Sequence, residues 1–203
     1  MGHWIIYIFV LVTSQVPTPR GLMIFGSATL VSYTFALSAA LQFEGILGSI
    51  HPAAFALLGG YLAVWWDNIP RALVNIDRPR DRISTILALT LAISAACLFA
   101  PSLAWLQHGL TLMVCLYAGL FAWLVGDRIV GPRLIWFARD WSEGRENAAY
   151  WHVARLIVIA FANEALILLG SPTLWVFGIA LGPIGLHYLM YWVIRATHPT
   201  PST

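Results

Sequence analysis

Lysine is absent from this chain and charge of either sign is scarce: 11 arginines and nine acidic residues among 203 positions amount to 10% of the sequence. A soluble domain carries roughly a quarter charged residues, so an ordinary water-facing surface cannot be assembled from this composition. The formal net charge of +2 is too small and too dispersed to mark nucleic acid as a partner. Only two cysteines occur, Cys97 and Cys115. Both lie inside apolar stretches without CxxC or His/Cys ligand spacing, and both read as small apolar core residues. What is abundant is apolar: 60% of the chain is hydrophobic, with 16 glycines and 10 tryptophans. Glycine is commoner in membrane helices than in soluble ones, and tryptophan gathers at the bilayer interface.

Crossing about 30 Å of hydrocarbon takes roughly 20 apolar residues. Runs that approach this length cover 22–43, 45–66, 83–106, 109–125, 153–169 and 174–194. The pattern predicts an all-α fold, a polytopic transmembrane helical bundle of six or seven spans forming a single integral membrane domain over 1–203. The seventh candidate, 4–16, is only about 13 residues, or roughly 20 Å of helix. It fits a short span or an interfacial helix better than a signal peptide, because it has no positively charged n-region and no small-x-small site before Pro17.

Arginine placement gives the orientation, since cationic connections stay cytoplasmic. Arg71, Arg78, Arg80 and Arg82 fall in one inter-run segment, and Arg128, Arg133, Arg139 and Arg145 in another two spans later. Arg20, Arg155 and Arg195 then lie at inner ends too, with the C-terminus cytoplasmic. The outer connections, at Glu44–Gly45, Gln107–His108 and 170–173, are short and nearly uncharged, which predicts tight antiparallel hairpins. Small residues at four-residue steps mark helix packing in lipid: Ala28, Ser32, Ala36 and Ala40; Ala88, Ala92 and Ala96; and the Gly178–Gly182 pair.

Few residues are candidates for chemistry. Glu164 is the one acid well inside a span, with Asn163 beside it. An ionisable group there is costly and is either a proton or ion site or a buried polar anchor to a neighbouring helix. His187 lies in the next span, about 10 Å from Glu164 in depth at 1.5 Å per residue, too far for a direct bond. His51 and His108 both sit near outer helix ends, where two histidines can meet and hold haem or a pigment. No metal site and no resident cofactor are expected from these spacings.

The polar stretch from Asp67 to Arg82 resembles the Asp-rich loop of intramembrane aromatic prenyltransferases. That resemblance implies carboxylates at Asp67, Asp77 and Asp81 holding Mg²⁺ and a diphosphate, with arginine clamping the phosphates. Arg71 and Asn75 stand where the family's NDxxDxxxD pattern wants Asp, and only Asp140, Glu143 and Glu146 remain as a second acidic loop. A solvated cytoplasmic loop with compensating charges is the alternative.

From about Ala92 onward the order of features is similar to another group. Leu116-Tyr117-Ala118-Gly119-Leu120 precedes a short basic segment, Asp127-Arg128 to Arg133-Leu134. Trp151, Arg155 and Asn163-Glu164 follow on one helix, then Trp175-Val176 and Pro183. This succession resembles the intracellular septation protein A family of small inner-membrane proteins, across roughly half the chain. The lysine that family carries after the tryptophan of its last span is absent. The resemblance implies a non-enzymatic bacterial inner-membrane protein of cell division, elongation and envelope maintenance, whose partners are other membrane proteins and the lipid bilayer. An accessory subunit of a larger respiratory or photosynthetic complex is the other non-enzymatic reading.

Overall fold

A computed structural model describes residues 19–42, 51–72, 79–125 and 145–197. Six helices fill them, and no strand occurs among the described residues: α1 Arg20–Gln42, α2 Pro52–Ala72, α3 Pro79–Leu98, α4 Leu103–Val125, α5 Arg145–Leu168 and α6 Pro172–Thr197. Four stretches are long and apolar enough to cross a bilayer: Arg20–Ala39, Leu103–Trp123, Tyr150–Leu168 and Pro172–Val193. In α3 the apolar part is shorter, Ile86–Leu98. The 4–16 run, the Glu44–Gly45 connection and the cluster Asp140, Glu143 lie outside the described residues.

Proline and capping residues explain where the helices start. Proline at the first helical position fits because that backbone N–H has no intrahelical acceptor anyway, and α2, α3 and α6 all begin on one: Pro52, Pro79 and Pro172. Ser102 Oγ accepts the Trp105 N–H at 3.2 Å ahead of α4, and Ser171 Oγ accepts the Leu174 N–H at 3.3 Å ahead of α6. Gly170, at φ +70°, reverses the chain after α5, a conformation that a Cβ would oppose. Its N–H donates to the Ile167 carbonyl at 2.9 Å.

These signals move one expected boundary. The turn between the third and fourth runs is not at Gln107–His108 but at 99–102, and both residues lie inside α4. Pro101 cannot continue α3, and Ser102 caps α4, so the helix restarts at Leu103, six residues earlier than hydropathy alone places it. Similarly, Asp67 belongs to α2 rather than to a loop.

Within the helices, several hydroxyl groups turn back on their own backbone. Ser27 donates to the Met23 carbonyl, Thr34 to Val31, Ser38 to Thr34 and Ser94 to Thr90, at 2.8–2.9 Å.

The described residues fall into two compact units whose boundaries lie within α4, α5 and α6. One contains Arg20–Leu110 with Asn163–Gly182. Its core joins Tyr33, Ala53, Ala54, Ala56, Leu57, Cys97, Leu106, Trp175, Val176 and Ile179. The closest approach is between α1 and α2. A Cβ on Gly59 would stand 1.8 Å from Ser32 Oγ, and one on Gly60 would stand 2.2 Å from Thr29 Oγ1 and 2.8 Å from the Phe25 ring. The Ala28–Ser32 stripe is therefore one half of this contact, and the glycine pair is the other. Tyr33 Oη shares a 2.9 Å hydrogen bond with Thr173 Oγ1 of α6, Arg20 pairs with Asp67 of α2, and Trp65 Nε1 donates to Thr90 Oγ1 of α3 at 3.0 Å.

Two packing expectations are corrected. Gly178 meets the Leu166 side chain, but Gly182 has open space around it, so the pair does not act as one GxxxG contact. Cys97 is buried whereas Cys115 is exposed, because it shares a face of α4 with the outward-facing Leu112 and Leu116. The second unit contains, among the described residues, 111–125, 145–162 and 183–197. Its buried apolar residues include Ala118, Phe121, Leu156, Ala160 and Met190.

The α1–α2 contact yields a paired expectation. Gly60→Ala improves helix propensity by about 1 kcal/mol yet should lower thermal stability in detergent by about 1–3 kcal/mol, because the added methyl has nowhere to go. Thr29→Val should be neutral or stabilising, since the fully buried Thr29 hydroxyl has no hydrogen-bond partner to lose. A stable Gly60→Ala protein would refute the close packing.

Candidate functional site

Asn163 lies at the centre of the polar residues in the first unit. It is 3% exposed, and both ends of its amide are taken. Nδ2 donates to the Gln107 backbone carbonyl of α4 at 2.9 Å, and Oδ1 accepts Nε1–H of the fully buried Trp175 of α6 at 2.8 Å. One side chain of α5 thus holds two other helices. The spacing follows from the Gly170 turn: Asn163 lies seven residues before it and Trp175 five after, which sets the two side by side in an antiparallel hairpin.

Glu164, the next residue, reaches α4 as well. His108 Nδ1 lies 3.2 Å from both carboxylate oxygens. The helix restart at Leu103 makes this possible, because it carries Gln107 and His108 one turn into α4, opposite consecutive residues of α5. Glu164 stands four residues from the end of α5 at Leu168, about 6 Å along the axis. An exposed ion pair of this kind contributes little in water, about 0–1 kcal/mol, and more where water is excluded. The arrangement can share or relay a proton between imidazole and carboxylate. Asn163 beside it clamps α4 and α6 to α5.

The remaining sequence candidates are dispersed. His51 stands ahead of α2, where its Nδ1 accepts the Ala53 N–H at 3.2 Å. Partial burial lowers its pKa, which favours the neutral acceptor that this cap needs. His51 and His108 each meet a different protein partner, the Ala53 N–H and the Glu164 carboxylate. His187 lies in the second unit, 9% exposed, and its Nδ1 is 3.4 Å from Arg155 Nη1. Arg155 Nη2 also donates to His152 Nδ1 at 2.8 Å. Of the acids in the Asp-rich stretch, Asp67 is joined to Arg20, and Asp77 and the side chain of Asp81 lie outside the description. Among the described residues no group of three His, Cys, Asp or Glu side chains is arranged to hold a metal ion.

Sequence reasoning missed three participants: the Gln107 carbonyl, His108 as the partner of Glu164, and Arg155 as the partner of His187. The Pro101-Ser102 signal was enough to find the first two, because counting from a helix start at Leu103 aligns 107 and 108 with 163 and 164. No family model, curated protein or solved structure matches the chain.

Asn163→Ala should cost about 2–3 kcal/mol in thermal unfolding, since it orphans the buried Trp175 N–H as well as removing two hydrogen bonds. Combined with Trp175→Phe, the effect should be clearly less than additive. Glu164→Gln should retain the fold, because an amide still offers His108 an acceptor. Additive losses in the first pair would separate Asn163 from Trp175.

Proposed function

We propose that the chain is an inner-membrane scaffold that binds other membrane proteins through exposed helix faces. In this reading α1 to α6 are six crossings, with 4–16 a further short or interfacial helix, and the C-terminus is cytoplasmic. The resemblance to the septation protein A family supplies the setting of cell division, elongation and envelope maintenance.

The observation that carries this reading is the uncovered face of α3. Ala88, Ala92 and Ala96 repeat at four-residue steps, and all three are exposed. On α1 the same spacing, at Ala28 and Ser32, is used for close contact with Gly59 of α2. On α3 it remains open beside exposed Ile83, Leu87 and Leu91. Helices in lipid associate by close van der Waals contact rather than by hydrophobic drive, and small residues permit that approach. The satisfied polar groups support the same view, because Asn163 and Trp175 use their hydrogen bonds to hold helices together.

Purification in mild detergent, followed by identification of the co-purifying proteins, tests the proposal. Division or elongation proteins support the septation-like role, whereas a respiratory or photosynthetic complex supports an accessory subunit. Ala92→Phe should reduce recovery of the partner severalfold while leaving the thermal midpoint unchanged. A chain that purifies alone, or a partner indifferent to Ala92→Phe, contradicts the use of this face.

A further inference from the structure

We propose that Arg155, together with His152 and His187, forms a binding site for a phosphate group, supplied by an anionic lipid head group or by free phosphate. The proposal requires only that α5 lies in the membrane and is independent of any protein partner.

Arg155 is on a stretch apolar and long enough to span a bilayer, Tyr150–Leu168. A guanidinium stays protonated in proteins, so this position holds a permanent positive charge. Charges inside spans are costly and are normally matched by an opposite charge. Among the described residues the partners are instead two imidazoles: His152 Nδ1 at 2.8 Å and His187 Nδ1 at 3.4 Å. Both ring nitrogens act as acceptors toward the guanidinium, which requires each ring to present a lone pair there. The two histidines orient Arg155 without neutralising it.

The fork also has capacity left. Arg155 offers five N–H donors, and its buried Nε has no hydrogen-bond partner. Nη1 and Nη2 each make one of the two bonds described, leaving a second hydrogen on each. A planar donor fork with unused hydrogens is the group that grips phosphate with parallel bonds. The surroundings hold the fork in place. The His152 ring meets Phe121 edge-on, with centroids 4.7 Å apart, and Tyr117 at 6.2 Å, both from α4. The His187 ring packs against Tyr188 at 5.7 Å.

Position selects the ligand class. Arg155 is five residues from Tyr150, roughly 7.5 Å along the helix, which is near the boundary where lipid phosphates meet hydrocarbon. Basic pockets between transmembrane helices take anionic head groups at this level. Every phospholipid carries a phosphate at this level, which makes phosphate the ligand class the position favours.

The test uses the purified full chain in nanodiscs. Thermal midpoints are compared between zwitterionic phosphatidylcholine discs and discs containing phosphatidylglycerol, and between zwitterionic discs with and without inorganic phosphate. Stabilisation by phosphatidylglycerol alone identifies the lipid as the source, and stabilisation by inorganic phosphate identifies the free anion. Arg155→Gln should weaken the responding ligand by about tenfold, equivalent to 1.4 kcal/mol. Arg155→Lys, which keeps the charge but not the fork, should recover only part of the response. An equal shift in wild type and Arg155→Gln would assign the effect to general membrane charge and overturn the proposal. If Arg155→Gln does not fold, the wild-type comparison decides alone: no shift with either probe overturns it.

Discussion

Asn163 is the point on which the first unit depends. Within a bilayer, a helix gains nothing from burying leucine against leucine, because lipid tails offer the same environment. What differs between associated and separated helices is how closely they pack and whether polar groups find partners. The Asn163 amide meets this need twice, with a carbonyl of α4 and the indole of α6. The Glu164–His108 pair follows from it, since neighbouring residues on α5 face neighbouring residues on α4. The core around Trp175, Val176 and Ile179 packs beside the same indole hydrogen bond.

Much of the helical layout was legible in the sequence because long apolar runs and prolines act locally. The stripe at Ala28 and Ser32 was legible for the same reason, as a periodic pattern on one helix. Its complement, Gly59-Gly60, was not singled out, because nothing local distinguishes a glycine facing a neighbour from one facing lipid. Gly178 and Gly182 show that ambiguity directly: the spacing is identical, but only the first meets a side chain.

The site was less legible, and the reason is register. Hydropathy smooths over several residues, so it treated 99–106 as continuous span and placed the turn at Gln107–His108. A shift of six residues hid the α4 partners of both Asn163 and Glu164. Arg155 was read as a topology signal, which accounts for a charge near a span end but does not say what that charge touches. Pairings between helices distant in sequence depend on helix rotation as well as depth, and the rotation is set by contacts that only the folded chain contains.

The Gly59-Gly60 contact also bears on how this sequence can change over time. With Gly60 pressed to Thr29 and Phe25, and Gly59 to Ser32, the volume at these positions is a shared quantity of two helices rather than a property of either. A larger residue on α2 is admissible only with a smaller one on α1. Drift at these sites is therefore coupled, and related chains should show compensating size changes between 59–60 and 25–32 even where the surrounding apolar residues exchange freely.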